Sequence, residues 1–170
     1  MVRSSLILFV LLFAAGCVNQ LKDPENTPSY PSYIGEISFD STLDMEDFER
    51  CDPDTLVQSR LGVAYVGGNH KLEEECRERL GNLIANFEYE GYIVARFLIN
   101  CHKKTGWIRL QTLNLSFKEQ DCPPQLQKRV KECILSLEKW TFTREENFGR
   151  DHSKYLNFKF SSGELQSIIH

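Results

Sequence analysis

Residues 91–115 read GYIVARFLINCHKKTGWIRLQTLNL: an apolar run, a short polar interruption and a return run. Tyr92 to Cys101 are β-branched and aromatic over a length that suits a central strand. His102 to Gly106 form a polar loop closed by glycine. Trp107 to Leu115 then come back with Arg109, Gln111 and Thr112 set among apolar residues, the alternation of a half-exposed antiparallel strand. The segment is expected to be a β-hairpin, with Gly91 ending whatever precedes it.

The flanking segments supply two helices and a third strand. Leu72, Cys76, Leu80, Leu83, Ile84 and Phe87 recur at helical spacing, so Lys71 to Asn86 read as an amphipathic helix, with Asn69 as its N-cap after Gly67-Gly68. Pro123-Pro124 open a second helix, where the missing proline amide is harmless. Its apolar face carries Leu126, Val130, Cys133, Ile134 and Leu137, and it runs through Glu138. After Trp140, Phe142 and a charged loop, Lys154 to Ser161 (KYLNFKFS) alternate strictly, with Leu156, Phe158 and Phe160 on one side and Asn157, Lys159 and Ser161 on the other. The order α-β-β-α-β implies an α+β, two-layer sandwich: a three-stranded antiparallel sheet with both helices packed on one face, preceded by an N-terminal extension. Phe97, Ile99, Leu80, Ile84, Val130, Ile134 and Leu137 are the expected core. The folded domain spans 66–162, after an extension over 33–65, and the tail 163–170 is too short for an element of its own.

The N-terminus reads as an export signal. Arg3 is the positive n-region, Leu6 to Phe13 are a short apolar run, and Ala14-Ala15-Gly16 are the small residues a signal peptidase needs. That run falls short of the ~20 apolar residues of a spanning helix. The ending Ala-Ala-Gly-Cys17 resembles the lipobox of bacterial lipoproteins, although Leu is usual where Ala14 stands. The resemblance implies a signal over 1–16, a diacylated Cys17, and attachment to a membrane through lipid. The alternative is ordinary secretory cleavage, with Cys17 kept for a disulfide. Residues 17–32 hold Pro24, Pro28 and Pro31 among polar residues and read as a flexible tether.

Composition narrows the function. There are 20 Lys+Arg against 24 Asp+Glu and no basic stripe, so binding to a nucleic-acid backbone is not expected. Glu36, Asp40, Asp44, Glu46, Asp47 and Glu49 make an acidic run without the DxDxDG pattern of a calcium loop, and read as a solvated segment. With Cys17 acylated, Cys51, Cys76, Cys101, Cys122 and Cys133 are odd in number, which leaves at least one outside any internal pair. Cys76 and Cys133 sit on apolar helix faces, where they either pair or stay as buried thiols. A Cys101–Cys122 bridge is excluded by strand length, since the hairpin puts the two at opposite ends of the returning strand. CxxC and paired Cys/His spacings are absent, so neither metal nor cofactor is expected. His70, His102, His152 and His170 read as exposed loop residues. GxSxG, P-loop, HExxH and GxGxxG are absent, and Cys101-His102, as strand neighbours, face apart, so no catalytic residue is assigned and the protein is not read as an enzyme.

The order of elements, GYIVARFLIN, the turn glycine Gly106, Trp140-Thr141-Phe142 after the second helix, the terminal LNFKF strand and Tyr65-Val66-Gly67-Gly68 together resemble the TonB C-terminal domain, in the form common among Bacteroidetes, over roughly Val66 to Phe160. Glu88-Tyr89-Glu90 stands where that family has Tyr-Pro, and the inner-membrane helix of an energy transducer is replaced by the cleavable signal. The resemblance implies the fold without the force-transducing role, and a peptide partner held by strand addition at a sheet edge. The Lys154 to Ser161 strand, last in order, is the expected edge, with Tyr155, Asn157 and Lys159 flanking it on one face. The alternative is that residues 33–60 cover that edge. The expected function is a non-catalytic, lipid-anchored envelope module binding a protein or peptide, the alternative being a scaffolding lipoprotein of an envelope complex. Val18, which is not the Asp of inner-membrane retention, points to the outer membrane, with the periplasmic and surface faces both open. Cys17→Ser should release the protein from membranes into the soluble or precursor fraction, and full retention in outer membranes would contradict acylation.

Overall fold

The computed structural model describes residues 37–52, 56–58, 62–84 and 87–170. The segments expected to be the signal and the tether, with Cys17, lie outside them. Strand β1 is Leu56–Gln58 and β2 is Val63–Tyr65; helix α1 is Gly68–Ile84; β3 is Gly91–Ile99 and β4 Thr105–Leu113; helix α2 is Pro124–Leu135; β5 is Trp140–Phe142, β6 Asp151–Ser161 and β7 Glu164–Ile169. None of the helices among the described residues is long and apolar enough to cross a membrane.

The hairpin forms as its residues require, with one change at the turn. Asn100 and Lys104 close it, and Lys103 takes φ 65°. Strand β4 starts at Thr105, inside the expected loop, because Thr105 and Gly106 pair with Ile99 and Leu98. Gly106 is demanded by packing rather than by backbone conformation: a Cβ there would meet the Phe48 ring. Past it the register slips between Arg96 and Leu98, and Trp107 sits in the bulge at φ 47°. A bulge re-aims a side chain, and here it turns the indole toward Phe39, Phe48 and Arg50.

Five strands make the main sheet, with β1, β6, β3 and β4 in order and β7 also paired to β6. The expected three-stranded core, β3, β4 and β6, is present and antiparallel, and it is larger than the sequence implied. Two further strands come from segments read as extension and tail. β6 pairs antiparallel with β3 from His152 to Phe160. Along its other side β1 runs parallel at residues 151–153 and β7 antiparallel at 157–161. The Lys154 to Ser161 strand is therefore central, not an edge. The tail turns back at Ser162-Gly163, where both residues take positive φ, 53° and 74°, and Leu165 and Ile168, three apart across a register shift at Gln166, both reach the core. A second sheet pairs β2 with β5, so the Tyr65 segment is a strand as well as a lead into α1.

Both helices cover one sheet face. Leu72, Cys76 and Leu80 of α1 and Leu126, Val130, Cys133 and Ile134 of α2 meet Ile93, Ala95, Phe97, Ile99, Leu156, Phe158 and Phe160 in one buried cluster. Every residue of the expected core is buried except Ile84, whose side chain lies outside the described ones. Helix α1 begins at Gly68, three residues before the expected start, and α2 ends at Leu135, with Ser136 hydrogen-bonded back to Cys133. Trp140 is buried edge-on to Tyr65 at 5.0 Å between ring centroids. Cys76, Cys122 and Cys133 are buried thiols, whereas Cys51 and Cys101 form a disulfide, so Cys101 and Cys122 are indeed unlinked. Ile134 is wholly buried, and Ile134→Ala should cost ~2–5 kcal/mol in chemical denaturation; an unchanged midpoint would place α2 on the wrong face.

Candidate binding surface

The face of the sheet opposite the helices divides into a covered end and an open one. At the covered end, Ile37, Phe48 and Leu98 form a second buried cluster with Trp107 against it. The acidic run that read as solvated helps fasten this cover. The Asp44 carboxylate accepts two bonds of 2.7 Å from the Arg109 guanidinium, which also donates to the Ser38 carbonyl. Burial raises the Asp44 pKa, but the bonds from Arg109 outweigh it and hold the carboxyl below its usual range. Such a bidentate pair is geometrically selective as well as favourable. A crevice of about 570 Å³ remains between residues 37–41 and Arg96 and Arg109.

Two buried polar side chains fix the cover to the sheet end. Asp151, the first residue of β6, has no exposed surface and accepts from Arg50 Nε, Cys51 N and Asp52 N at 3.1–3.2 Å. Asn100 donates to the Glu49 carbonyl at 2.9 Å and accepts from the His102 and Lys104 amides at 3.0 Å. The Cys51–Cys101 disulfide lies between these anchors. The adjacent His102 comes close to it: one side-chain ligand atom each from Cys51, Cys101 and His102 lie within 4.8 Å of one another. Cys101 and His102 thus do not face apart as strand neighbours would, because they stand in the turn beyond β3. His152 also departs from expectation: it is wholly buried on β6 and not exposed in a loop. Its Nε2 lies 3.1 Å from the Asn147 carbonyl and must donate, and burial lowers the pKa, which disfavours the charged imidazolium.

The open end is built from alternate residues of four strands. Registers align Leu113, Tyr92 and Lys159 with Ser167, Gln111, Val94 and Asn157 with Ile169, and Arg109 and Arg96 with Tyr155. Tyr155, Asn157 and Lys159 therefore do share one face, opposite Leu156, Phe158 and Phe160. All three are half-buried. Lys159 Nζ stands 6.0 Å from the Tyr92 ring centroid, and Phe117 stacks on that ring at 4.9 Å. Asn157 Oδ1 is buried without a hydrogen-bond partner among the described residues. Asn157 and Lys159 do not offer a free backbone, because both sides of β6 are occupied from Asn157 onward, and the gap left between β1 and β7 is only residues 154–156.

The free backbone belongs to β4, the last strand of the sheet. The Thr112 carbonyl accepts from the Gln120 amide at 3.1 Å, so Thr112 faces outward, away from β3. Backbone direction alternates along a strand, so the N–H and C=O of Leu110 also point outward. Between Gly106 and Gln111 this outer edge makes no backbone–backbone hydrogen bond among the described residues, although the Ile108 carbonyl accepts from Arg109 Nη1 at 3.2 Å. Beside it, Leu110, Gln111 and Thr112 face Glu119, Gln120 and Asp121 across a cavity of about 440 Å³. The cue in the sequence was the polar interruption of Trp107 to Leu115, which marked a half-exposed strand.

Comparisons of this chain with models of protein families, with curated proteins and with solved structures find no match.

Proposed function

We propose that this chain is a non-catalytic binding module of a bacterial cell envelope, held to the outer membrane by lipid on Cys17, that takes up an extended protein or peptide segment along β4. The observation that carries the reading is the unpaired outer edge from Gly106 to Gln111. Unpaired ladder groups at an edge are a template for another strand. The mode is the one the resemblance to TonB C-terminal domains implies; because β6 is paired on both sides from Asn157 onward, we assign it to β4 instead. An added strand would set alternate side chains beside Arg109 and Gln111 on the open face. Tyr155, Asn157 and Lys159 then act as face contacts, with Asn157 Oδ1 as a shielded acceptor. The acidic balance of the chain, 24 Asp+Glu to 20 Lys+Arg, favours a neutral or basic segment over nucleic acid.

A scaffolding role in an envelope complex is the second reading. It is favoured by large apolar side chains exposed at or next to the open face: Phe117 at 56%, Ile169 at 52% and Leu115 at 46%. There the partner docks against side chains and needs no ladder.

One substitution separates the two. Proline is tolerated at an edge position whose amide faces outward, but it removes that donor. Peptides selected from an unstructured library against the folded protein should bind Leu110→Pro about tenfold more weakly or worse, since a ladder bond and its neighbours are lost. Circular dichroism must show the variant folded. Equal binding by folded Leu110→Pro, with loss in Phe117→Asp and Ile169→Asp, would reject strand addition and leave the scaffold.

A further inference from the structure

We propose that, once the Cys51–Cys101 disulfide is reduced, Cys51, Cys101 and His102 form a site for a single thiophilic cation, with Zn2+ the natural occupant. The three ligand atoms already lie within 4.8 Å of one another. Two sulfurs bound to Zn2+ at about 2.3 Å each stand about 3.8 Å apart in a tetrahedron, and an imidazole nitrogen at about 2.0 Å completes the third corner within the same range. Opening the bond and rotating the side chains is the movement required. Two thiolates and an imidazole suit Zn2+ better than hard cations such as Mg2+ or Ca2+. The fourth corner is left for water or an outside ligand, because Cys51 and Cys101 are half-exposed and His102 is exposed.

The disulfide does not have to hold its own cysteines together. Asp151 binds the amides of Cys51 and Asp52, and Arg50 closes on the same carboxylate. Asn100 clamps the turn amides of His102 and Lys104 and reaches across to the Glu49 carbonyl. Both clamps are buried, Asp151 at 0% and Asn100 at 2% exposure, so they persist when the sulfurs separate. A reduced pair in this frame is already placed for a metal, which lowers the ordering cost of binding. The His102 ring has no hydrogen bond among the described contacts of its turn; its amide alone is used by Asn100.

The chemistry balances through thiol–disulfide exchange. A dithiol reductant attacks one sulfur, is itself oxidised to a disulfide, and leaves Cys51 and Cys101 as two thiols. Zn2+ then displaces one proton from each thiol and takes neutral His102 through a ring nitrogen. Disulfide and metal are alternative occupants of the same position.

Co2+ is the probe, since thiolate-to-metal charge transfer and tetrahedral d–d bands report its ligands. The full chain is reduced with a phosphine, which is then removed under anaerobic conditions. The reduced chain should keep its circular dichroism, bind one Co2+ with thiolate charge transfer, and lose the bands when Zn2+ is added. The oxidised chain should show none. His102→Ala, a change on an exposed turn, should weaken Co2+ binding by more than an order of magnitude, and the double variant Cys51→Ser/Cys101→Ser should abolish the thiolate band. The proposal is overturned by a reduced chain that unfolds or shows no thiolate band. It is equally overturned by a band that survives in that double variant, which would assign it to thiols outside this cluster, or by an affinity indifferent to His102→Ala.

Discussion

Strand β6 is hydrogen-bonded along both sides, and most of the architecture follows from that. Its inner side takes β3 over nine residue pairs, His152 to Phe160. Its outer side is shared, with β1 coming from before the first helix and β7 from the end of the chain. Filling that side closes the edge that the order of elements had left open. Among the described residues it leaves the outer side of β4 without a neighbouring strand from Gly106 to Gln111. A long open edge invites uncontrolled pairing, and here it is shortened at one end by Gln120 on Thr112 and at the other by Thr105, whose hydroxyl binds the Leu137 carbonyl.

The beginning of the described chain is integral to the domain for electrostatic as much as apolar reasons. Asp151 would be an unpaired buried charge without Arg50 and the amides of Cys51 and Asp52, and hydrogen bonds to a charged group are worth ~1.5–3 kcal/mol each. Asp44 and Arg109 repeat the arrangement on the sheet face, and Asn100 does so without charge. These three contacts and the disulfide converge on the end of the hairpin. They bury Phe48 over Gly106 and leave the far end of the face, around Tyr92, Val94 and Asn157, partly exposed.

How far the sequence was legible depended on whether a signal was local. Period-two and helical spacing found β3, β4, β6 and both helices, because each buries one face in a pattern written over consecutive residues. Val63–Tyr65 and Trp140–Phe142 are three residues each and too short to show a period. The tail's buried Leu165 and Ile168 are three residues apart and show no period of two, because the register shifts at Gln166, and its turn depended on Ser162 and Gly163 adopting positive φ. The role of Asp44 was hidden because a carboxylate in an acidic run looks solvated until its arginine, 65 residues away, is brought beside it. Alternation put Tyr155, Asn157 and Lys159 on one face, and the registers do the same. Their backbone was given to the wrong edge, since alternation says nothing about which strands lie alongside.

Amide hydrogen exchange on the free protein, resolved by residue, tests the central claim most directly. Pairing on both sides predicts slow exchange for Asn157, Phe158, Lys159 and Phe160 alike, whichever way each amide points. The outward amide of Leu110 on β4 should exchange fast while its inward neighbours Arg109 and Gln111 stay protected. Alternating fast and slow amides through residues 157–160, with Leu110 protected, would mean that β6 is the edge and β4 is covered, and would contradict this account.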